Sequence, residues 1–353
     1  MKSTIGGTNH VDEETGSSAP SHPAVSVATV TYGDRWSLLV RILDYIEADP
    51  KIARVIVVDN GAHIPIAALV QRACFRKAIV IGNPRNLGSA AGFKLGLETL
   101  LSYDPEWIWL LDDDNLPDSI ALDEILHSAA ALDPAERGRT AFVAFRPEHQ
   151  GAVAAGEDVR RCFPPHSSFC GFHVADIPYK IWRGMLPRRP LASREIPARV
   201  ALPYAPYGGL FFHRKLLETI GTPNKNLVLY ADDTEFTSRI VRSGGRLWLL
   251  TGAPIIELEP SWSTKHAGSS FEAWLTGSAD FRIFYRARNR AYFDCKVWSR
   301  NRMIYRLNRL TYLLILRVVA LRHRRIDRYD LFRRATTLGE TGRLGLEDEY
   351  PLP

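Results

Sequence analysis

Glu106-Trp107-Ile108-Trp109-Leu110-Leu111-Asp112-Asp113-Asp114-Asn115 is an apolar run of strand length that stops at three consecutive carboxylates. Three carboxylates cannot be buried without partners except at prohibitive cost. The stretch therefore predicts a strand whose carboxyl end opens at the mouth of a sheet. Side chains two apart on an extended segment project the same way. Asp112 and Asp114 can thus reach one hard divalent cation, which prefers oxygen ligands, while Asp113 points elsewhere. The plainer alternative is a solvated acidic turn closing the strand.

The flanking sequence repeats the pattern. Buried strands are expected at 25–31, 54–58 and 78–81, with helical spacing of apolar residues between Trp36 and Ile46 and again over 89–101. Downstream come a helix over 118–131, strands at 140–145 and 210–212, and a short helix at 215–220. A helix over 232–243 and a strand at 246–250 follow. Strands alternating with helices predict an α/β fold, a mostly parallel sheet with helices on both faces. Ligands of such sheets bind beyond the carboxyl ends of the strands. Thr31-Tyr32, Asp59-Asn60 and the residues from Asp112 to Asn115 all fall at those ends.

The 353-residue chain can bury a large core, and its apolar and charged fractions are those of an ordinary globular protein. Cys74, Cys162, Cys170 and Cys295 form no Cys-x-x-Cys pair, which points away from a zinc site and suits a reducing cytoplasm. There is no apolar signal core at the start, and no apolar run reaches the roughly 20 residues that span a bilayer. The net charge of +6 is unevenly placed: residues 296–334 hold 12 Lys/Arg against 2 Asp/Glu. Apolar residues there follow helical spacing, interleaved with Arg302, Arg306, Arg309 and Arg317. An Arg-rich amphipathic helix can lie on an anionic membrane surface, or pack on the domain with a solvated basic face. The expected organisation is a disordered segment 1–23 and a catalytic domain 24–295 with halves 24–146 and 147–295. A basic helical region 296–334 and a flexible tail 335–353 complete it. Residues 147–206 read as loops and short strands around 167–174 that cover part of the site.

Several constellations can carry chemistry. Asp59 closes a strand and can bind a base or ribose, or form an Asx turn with Gly61. Arg85, Asn86 and Gly88 lead into a helix whose Gly88, Gly92 and Gly96 lie four apart. That arrangement suits a phosphate at the helix start, or tight packing of helix on sheet. Asp232 and Asp233 open another helix, so that one can cap it and the other act as a general base. His266 lies in a loop that can fold back over a metal. His166 and His173 are weaker candidates for contact with an acceptor. The cluster from Phe284 to Tyr292 sets Arg286, Arg288 and Arg290 among aromatics.

In this order the motifs Val-Val-Asp-Asn-Gly, Asn-Leu-Gly-x-x-x-Gly-Phe, Trp-Ile-Trp-Leu-Leu-Asp-Asp-Asp, Asp-Asp-Thr-Glu-Phe and Tyr-Arg-x-Arg-Asn-Arg-x-Tyr resemble the family-2 inverting glycosyltransferases of GT-A fold. The likeness is to the bacterial galactofuranosyl- and rhamnosyltransferases and covers roughly 25–293. It implies that Thr31, Tyr32, Asp59, Arg85, Asn86, Gly88, Asp112, Asp113 and Arg288 bind a nucleotide-sugar. It implies Mn2+ or Mg2+ on Asp112 and Asp114, and Asp233 as the base that deprotonates the acceptor. Asp232, His173 and Trp262 are expected beside the acceptor. Relatives often carry a His-Pro after the last strand. Glu259-Pro260 stands there in this chain, so either Glu259 or His266 would complete the metal shell. The resemblance further implies a glycan or lipid-linked acceptor in cell-surface polysaccharide synthesis, at the inner face of the cytoplasmic membrane.

The Asp-Asp-Thr-Glu-Phe form favours UDP-galactofuranose as donor, with dTDP-rhamnose the alternative. A nucleotidyltransferase would be expected to show a glycine-rich basic loop after the first strand, where this chain has Thr31-Tyr32-Gly33-Asp34-Arg35. A non-catalytic membrane-surface scaffold would not require Asp112, Asp114 and Asp233 together. No nucleic-acid-reading module is visible.

Overall fold

The computed structural model describes residues 25–157, 162–178, 196–259, 270–277 and 279–353. The segment expected to be disordered, and the expected site residues Trp262 and His266, lie outside the described residues. The chain runs β1 (Val25–Gly33), α1 (Trp36–Ala48), β2 (Ile52–Ala62), α2 (Ile66–Arg72), β3 (Ala78–Asn83), α3 (Ser89–Leu101), β4 (Trp107–Leu110) and β5 (Asn115–Pro117). It continues with α4 (Ala121–Ala130), α5 (Pro134–Arg137), β6 (Thr140–Phe145), α6 (Pro147–Ala154), β7 (Arg199–Ala201), β8 (Leu210–His213), α7 (Leu216–Ile220), α8 (Asp232–Arg242) and β9 (Arg246–Glu257). Four helices close it: α9 (Ser270–Thr276), α10 (Asp280–Tyr292), α11 (Arg302–Arg322) and α12 (Ile326–Thr341).

One sheet has the order β3-β2-β1-β4-β8-β6-β9-β5, with β7 also paired to β9. β1, β2, β3 and β4 are mutually parallel. β8 is antiparallel to both β4 and β6, so β6 runs parallel to β4, and β9 is parallel to β6. Six strands thus deliver their carboxyl ends to one rim, and antiparallel β8 delivers its beginning there. Because β8 sits between β4 and β6, the two expected halves of the catalytic domain share a single sheet.

Alternation along the strands sorts the core. Val25, Val27, Val55, Val57, Trp107 and Trp109 pack on one face with α1, α2 and α4. Ala28, Ile56, Val58, Ile108 and Leu110 pack on the other with α3, α7 and α8. A side chain on Gly92 would strike Val30 Cγ1 at 2.6 Å, so the four-residue glycine spacing serves close packing of α3 on β1.

Two expectations change. The tail from 335 onward was expected to be loose, but α12 reaches Thr341 with Phe332, Ala335, Thr336 and Gly339 buried. Beyond it Tyr350 stacks on Phe284 with ring centroids 4.4 Å apart. Aromatic packing is what holds it. Phe169, Tyr305, Tyr312, Trp274 and Phe332 form a third core cluster. Residues 167–174 lie in that cluster, against α11, rather than over the rim: Asn308 Nδ2 donates to Ser167 O, and its Oδ1 accepts from Val174 N. Among the described residues no helix is long and apolar enough to cross a membrane.

Candidate active site

Parallel register brings the polar strand ends level. Thr31 pairs with Asp59, Asp59 with Gly82, and Asn60 with Asn83. Buried Asn60 donates to Asn86 Oδ1 and Gly88 O and accepts from Asn83 Nδ2 and Leu87 N. One side chain thereby fixes the loop that leads into α3. Gly88 has φ +87°, and a side chain there would collide with Val228 O. Beyond this rim lies a cavity of about 400 Å3.

Asp112, Asp113 and Asp114 all line the cavity. Asp113 meets Arg35, whose Nε is 2.9 Å from both of its carboxylate oxygens. Arg35 Nη2 reaches Asp114 Oδ2 at 2.9 Å and Nη1 reaches Glu259 Oε2 at 2.5 Å. Asp112 Oδ2 lies 3.8 Å from Arg146 Nη1. Burial pushes Asp112 up to about 7, against the pull of Arg146 and with repulsion from Asp114, Asp113 and Asp233 added. Burial likewise takes Asp113 to about 6 despite Arg35, and raises Asp114. Acids crowded in this way gain from a cation among them. Asp112 and Asp114 supply oxygen ligands of the kind Mn2+ and Mg2+ take. Among the described residues no three acids, histidines or cysteines are already grouped as a metal cage.

Asp232 and Asp233 open α8 beside the cavity. Asp232 Oδ2 accepts from Ser89 Oγ at 2.8 Å, and Ser89 itself lines the cavity. Burial and the charge of Asp233 push Asp232 up to about 8. Asp233 is raised by burial too, but Thr234 N donates to its Oδ1 at 2.6 Å and Thr234 Oγ1 at 3.2 Å. Those bonds favour the charged form and work against that rise. The approach to this pair is strained: Val228, Tyr230 and Ala231 have φ of +66°, +66° and +57°. No side chain caps α8, whose N-cap is Ala231.

The other expected residues divide. Tyr32, Asn86 and Gly88 line the cavity. Thr31 is wholly buried and does not. Asp59 Oδ1 accepts from Ala62 N at 2.7 Å, the turn its sequence context allowed. Arg85 is exposed and outside the lining. Arg288, expected at the nucleotide-sugar, is buried and donates to Gly345 O and Asn289 Oδ1; burial lowers it to about 10. It holds the tail, and the arginine of α10 that reaches the cavity is Arg282. His173 accepts from Ala175 N at the start of a short turn, and His166 stacks on Trp298; neither lines the cavity. Arg286 lies over the Trp274 ring and lines a second cavity with Ala231 and Thr234.

The sequence reading missed Arg35, Arg146, Glu257 and Gly208. Arg146 Nε donates to Glu257 Oε1 at 2.6 Å, and His149 Nε2 lies 3.0 Å from the same carboxylate. Burial raises Glu257, but His149 and Arg146 overcome it and hold the acid below its usual range. Arg146 directly follows β6 and Glu257 ends β9, so the strand-end rule would have found both once the strand directions were known. At Gly208 a side chain would meet Asn115 Oδ1 at 2.0 Å and Asp112 Oδ2 at 2.5 Å, a contact only the fold reveals.

Residues 26–149 match the model of glycosyl transferase family 2. The chain is 28% identical over 237 residues to galactofuranosyltransferase GlfT1 of Mycolicibacterium smegmatis, covering 64% of this chain and 68% of that protein. It is 28% identical over 211 residues to GlfT1 of Mycobacterium tuberculosis, covering 58% of this chain and 61% of that one. Among solved structures, a mannosyltransferase of Pyrobaculum calidifontis in complex with GDP-Man and Mn2+ aligns over 90% of this chain and 84% of its own, with 18% identity and a TM-score of 0.46.

Proposed function

We propose, from the premise that the chain is a family-2 glycosyltransferase of the galactofuranosyltransferase branch, that it moves galactofuranose from UDP-galactofuranose to a hydroxyl of a glycan or lipid-linked glycan, with inversion. The observation that carries this reading is the closeness of two acidic groups. Asp112 to Asp114 line the cavity, Asp232 bonds Ser89 of its lining, and Asp233, outside the described lining, stands near enough for its charge to push Asp112 up. The first group suits the charge of a diphosphate and its cation, and the second suits the acceptor.

Asp112 and Asp114 would hold Mn2+ or Mg2+, with Glu259 the described candidate for a further ligand once Arg35 releases it. A divalent cation there supplies Lewis-acid stabilisation of a nucleoside diphosphate leaving group. The remaining work falls to the protein. Asn60 holds the Asn86–Gly88 loop against the donor. Asp233 takes the proton of the acceptor hydroxyl as that oxygen attacks the anomeric carbon and the bond to the diphosphate breaks. Asp232, raised to about 8, carries a proton at neutral pH and leaves Asp233 as the charged base. A single displacement of this kind inverts the anomeric carbon.

Lipid-linked acceptors lie at a membrane, and α11 supports association with the inner face of the cytoplasmic membrane. Nucleotide-sugar hydrolysis by the purified chain tests the donor. With Mn2+ present, UDP-galactofuranose should be cleaved and galactofuranose transferred to an acceptor glycan. Cleavage of dTDP-rhamnose instead would move the assignment to the rhamnosyl donor. Cleavage of neither would overturn the transferase reading.

A further inference from the structure

Helix α11 has two unlike faces. Tyr305, Asn308, Tyr312, Leu316 and Ala320 are buried against the third core cluster. Met303, Leu307, Leu310, Leu314, Val318 and Leu321 stand about half a turn away at 3.6 residues per turn. They are exposed, Met303 at 79%, Leu310 at 67% and Leu314 at 64%. Scattered exposed apolar residues need no explanation, but a continuous stripe along a 21-residue helix marks a contact surface. The flank beside it is basic. Between Lys296 and Arg325 there are nine Lys/Arg and no acid.

At the first turns of the helix this flank closes into a cavity of about 430 Å3, lined by Cys295, Lys296, Arg302, Tyr305, Arg306, Arg309 and Glu340. Glu340 Oε1 accepts from Arg309 Nε at 2.7 Å and from Tyr305 Oη at 2.8 Å, which neutralises Arg309. Among the described residues, Lys296, Arg302 and Arg306 have no carboxylate within 4.0 Å. Three unneutralised cations therefore surround one cavity, immediately next to Met303 and Leu307. An acidic protein would satisfy the cations but not the apolar stripe.

We infer that this cavity holds the phosphate of an anionic phospholipid while the α11 stripe enters the acyl boundary of the same bilayer. The inference rests on the reading of the chain as acting at a membrane, and it adds a discrete headgroup site to it. The site is separate from the donor cavity, with which it shares no lining residue among the described residues.

Co-sedimentation of the full chain with phosphatidylcholine vesicles, with and without phosphatidylglycerol, tests it. Binding should require phosphatidylglycerol and weaken with salt. At about 1 kcal/mol per cation, Arg302→Gln with Arg306→Gln should bind about 30-fold more weakly. Leu310→Ser with Leu314→Ser, which leaves the cavity intact, should also lose binding. Equal binding to neutral vesicles, or an unchanged Arg302/Arg306 variant, would overturn the inference. So would thermal stabilisation by inorganic phosphate without vesicle binding, which would assign the cavity to a soluble ligand. Donor hydrolysis, measured on the same samples, should be equal in all of them, so that failure of the transferase reading is seen separately.

Discussion

Arg35 grips Asp113 with its Nε 2.9 Å from both carboxylate oxygens, and the same guanidinium reaches Asp114. The middle acid of the three, expected to point away, is therefore the anchor of the cation that shields the site. Asp113 is buried, so removing its partner leaves a charge without compensation. Arg35→Gln should cost about 3 kcal/mol of stability in metal-free protein. A divalent cation would then meet less competition at Asp114. Thermal unfolding with and without Mn2+ should show a larger stabilisation in Arg35→Gln than in the parent. An equal or smaller one would mean that Arg35 and the cation do not share these acids.

The positions of these acids were legible because strand periodicity ends abruptly at Asp112, and because β1, β2 and β4 run parallel. The cations were not. Arg146 reaches Asp112 only because antiparallel β8 restores β6 to the direction of β4, and no local pattern reveals an antiparallel strand inside such a sheet. Arg288 misled for a related reason. Its motif sits on α10, but which face of α10 is buried depends on α12 and the tail, whose packing rests on aromatics spread over some 180 residues.

Asp233 is the residue we propose as the base. Asp233→Asn keeps the side chain's size and its place beside Thr234 but cannot accept a proton. Sugar transfer should fall about a thousandfold, the usual scale for a general base, while the donor KM stays within about threefold. Steady-state kinetics with the donor varied separate the two effects. A donor KM that rises as steeply as kcat falls would place Asp233 on the donor instead.

Asp232 gives a signed pH dependence. Its folded value, about 8, lies above that of an exposed aspartate near 3.8. The folded form therefore holds its proton longer than the unfolded chain. The associated stability is present at low pH and lost as pH rises towards about 8. Asp232→Asn removes this loss. The variant should be more stable than the parent by about 2 kcal/mol near pH 8 and by almost nothing near pH 4. Denaturant unfolding at the two pH values checks it. A variant equally stabilised at both would point to packing rather than charge.

Gly208 lies under the acidic rim, where an added methyl group would meet Asp112 and Asn115. Both are held by neighbours, so they cannot swing away without breaking the Arg146 contact or the Asn115–Asp114 hydrogen bond. Gly208→Ala should lower Mn2+ affinity at least tenfold while costing about 1–3 kcal/mol of stability, as overpacking does. Calorimetric titration with Mn2+ on the folded variant reads the first quantity. Unchanged affinity would remove Asp112 from the metal shell.

We propose that Asn289 sets the position of Asp233 from a distance. Its Nδ2 donates to the carbonyls of Leu227, Leu229 and Tyr230. These carbonyls belong to the strained segment that leads into Asp232. With three non-glycine residues at positive φ, that segment stores strain of about 1–3 kcal/mol each, and it persists only while something holds it. Asn289→Ala removes that hold without touching Asp233. Because Asn289 is fully buried, the variant also leaves carbonyls unsatisfied, at about 1–3 kcal/mol each. Stability should fall, and kcat should drop about tenfold in protein that remains folded. A purely structural role would lower stability and leave kcat per folded molecule unchanged. Measuring kcat at a temperature well below the unfolding midpoint of the variant distinguishes the two, and an unaltered kcat there would sink the positioning role.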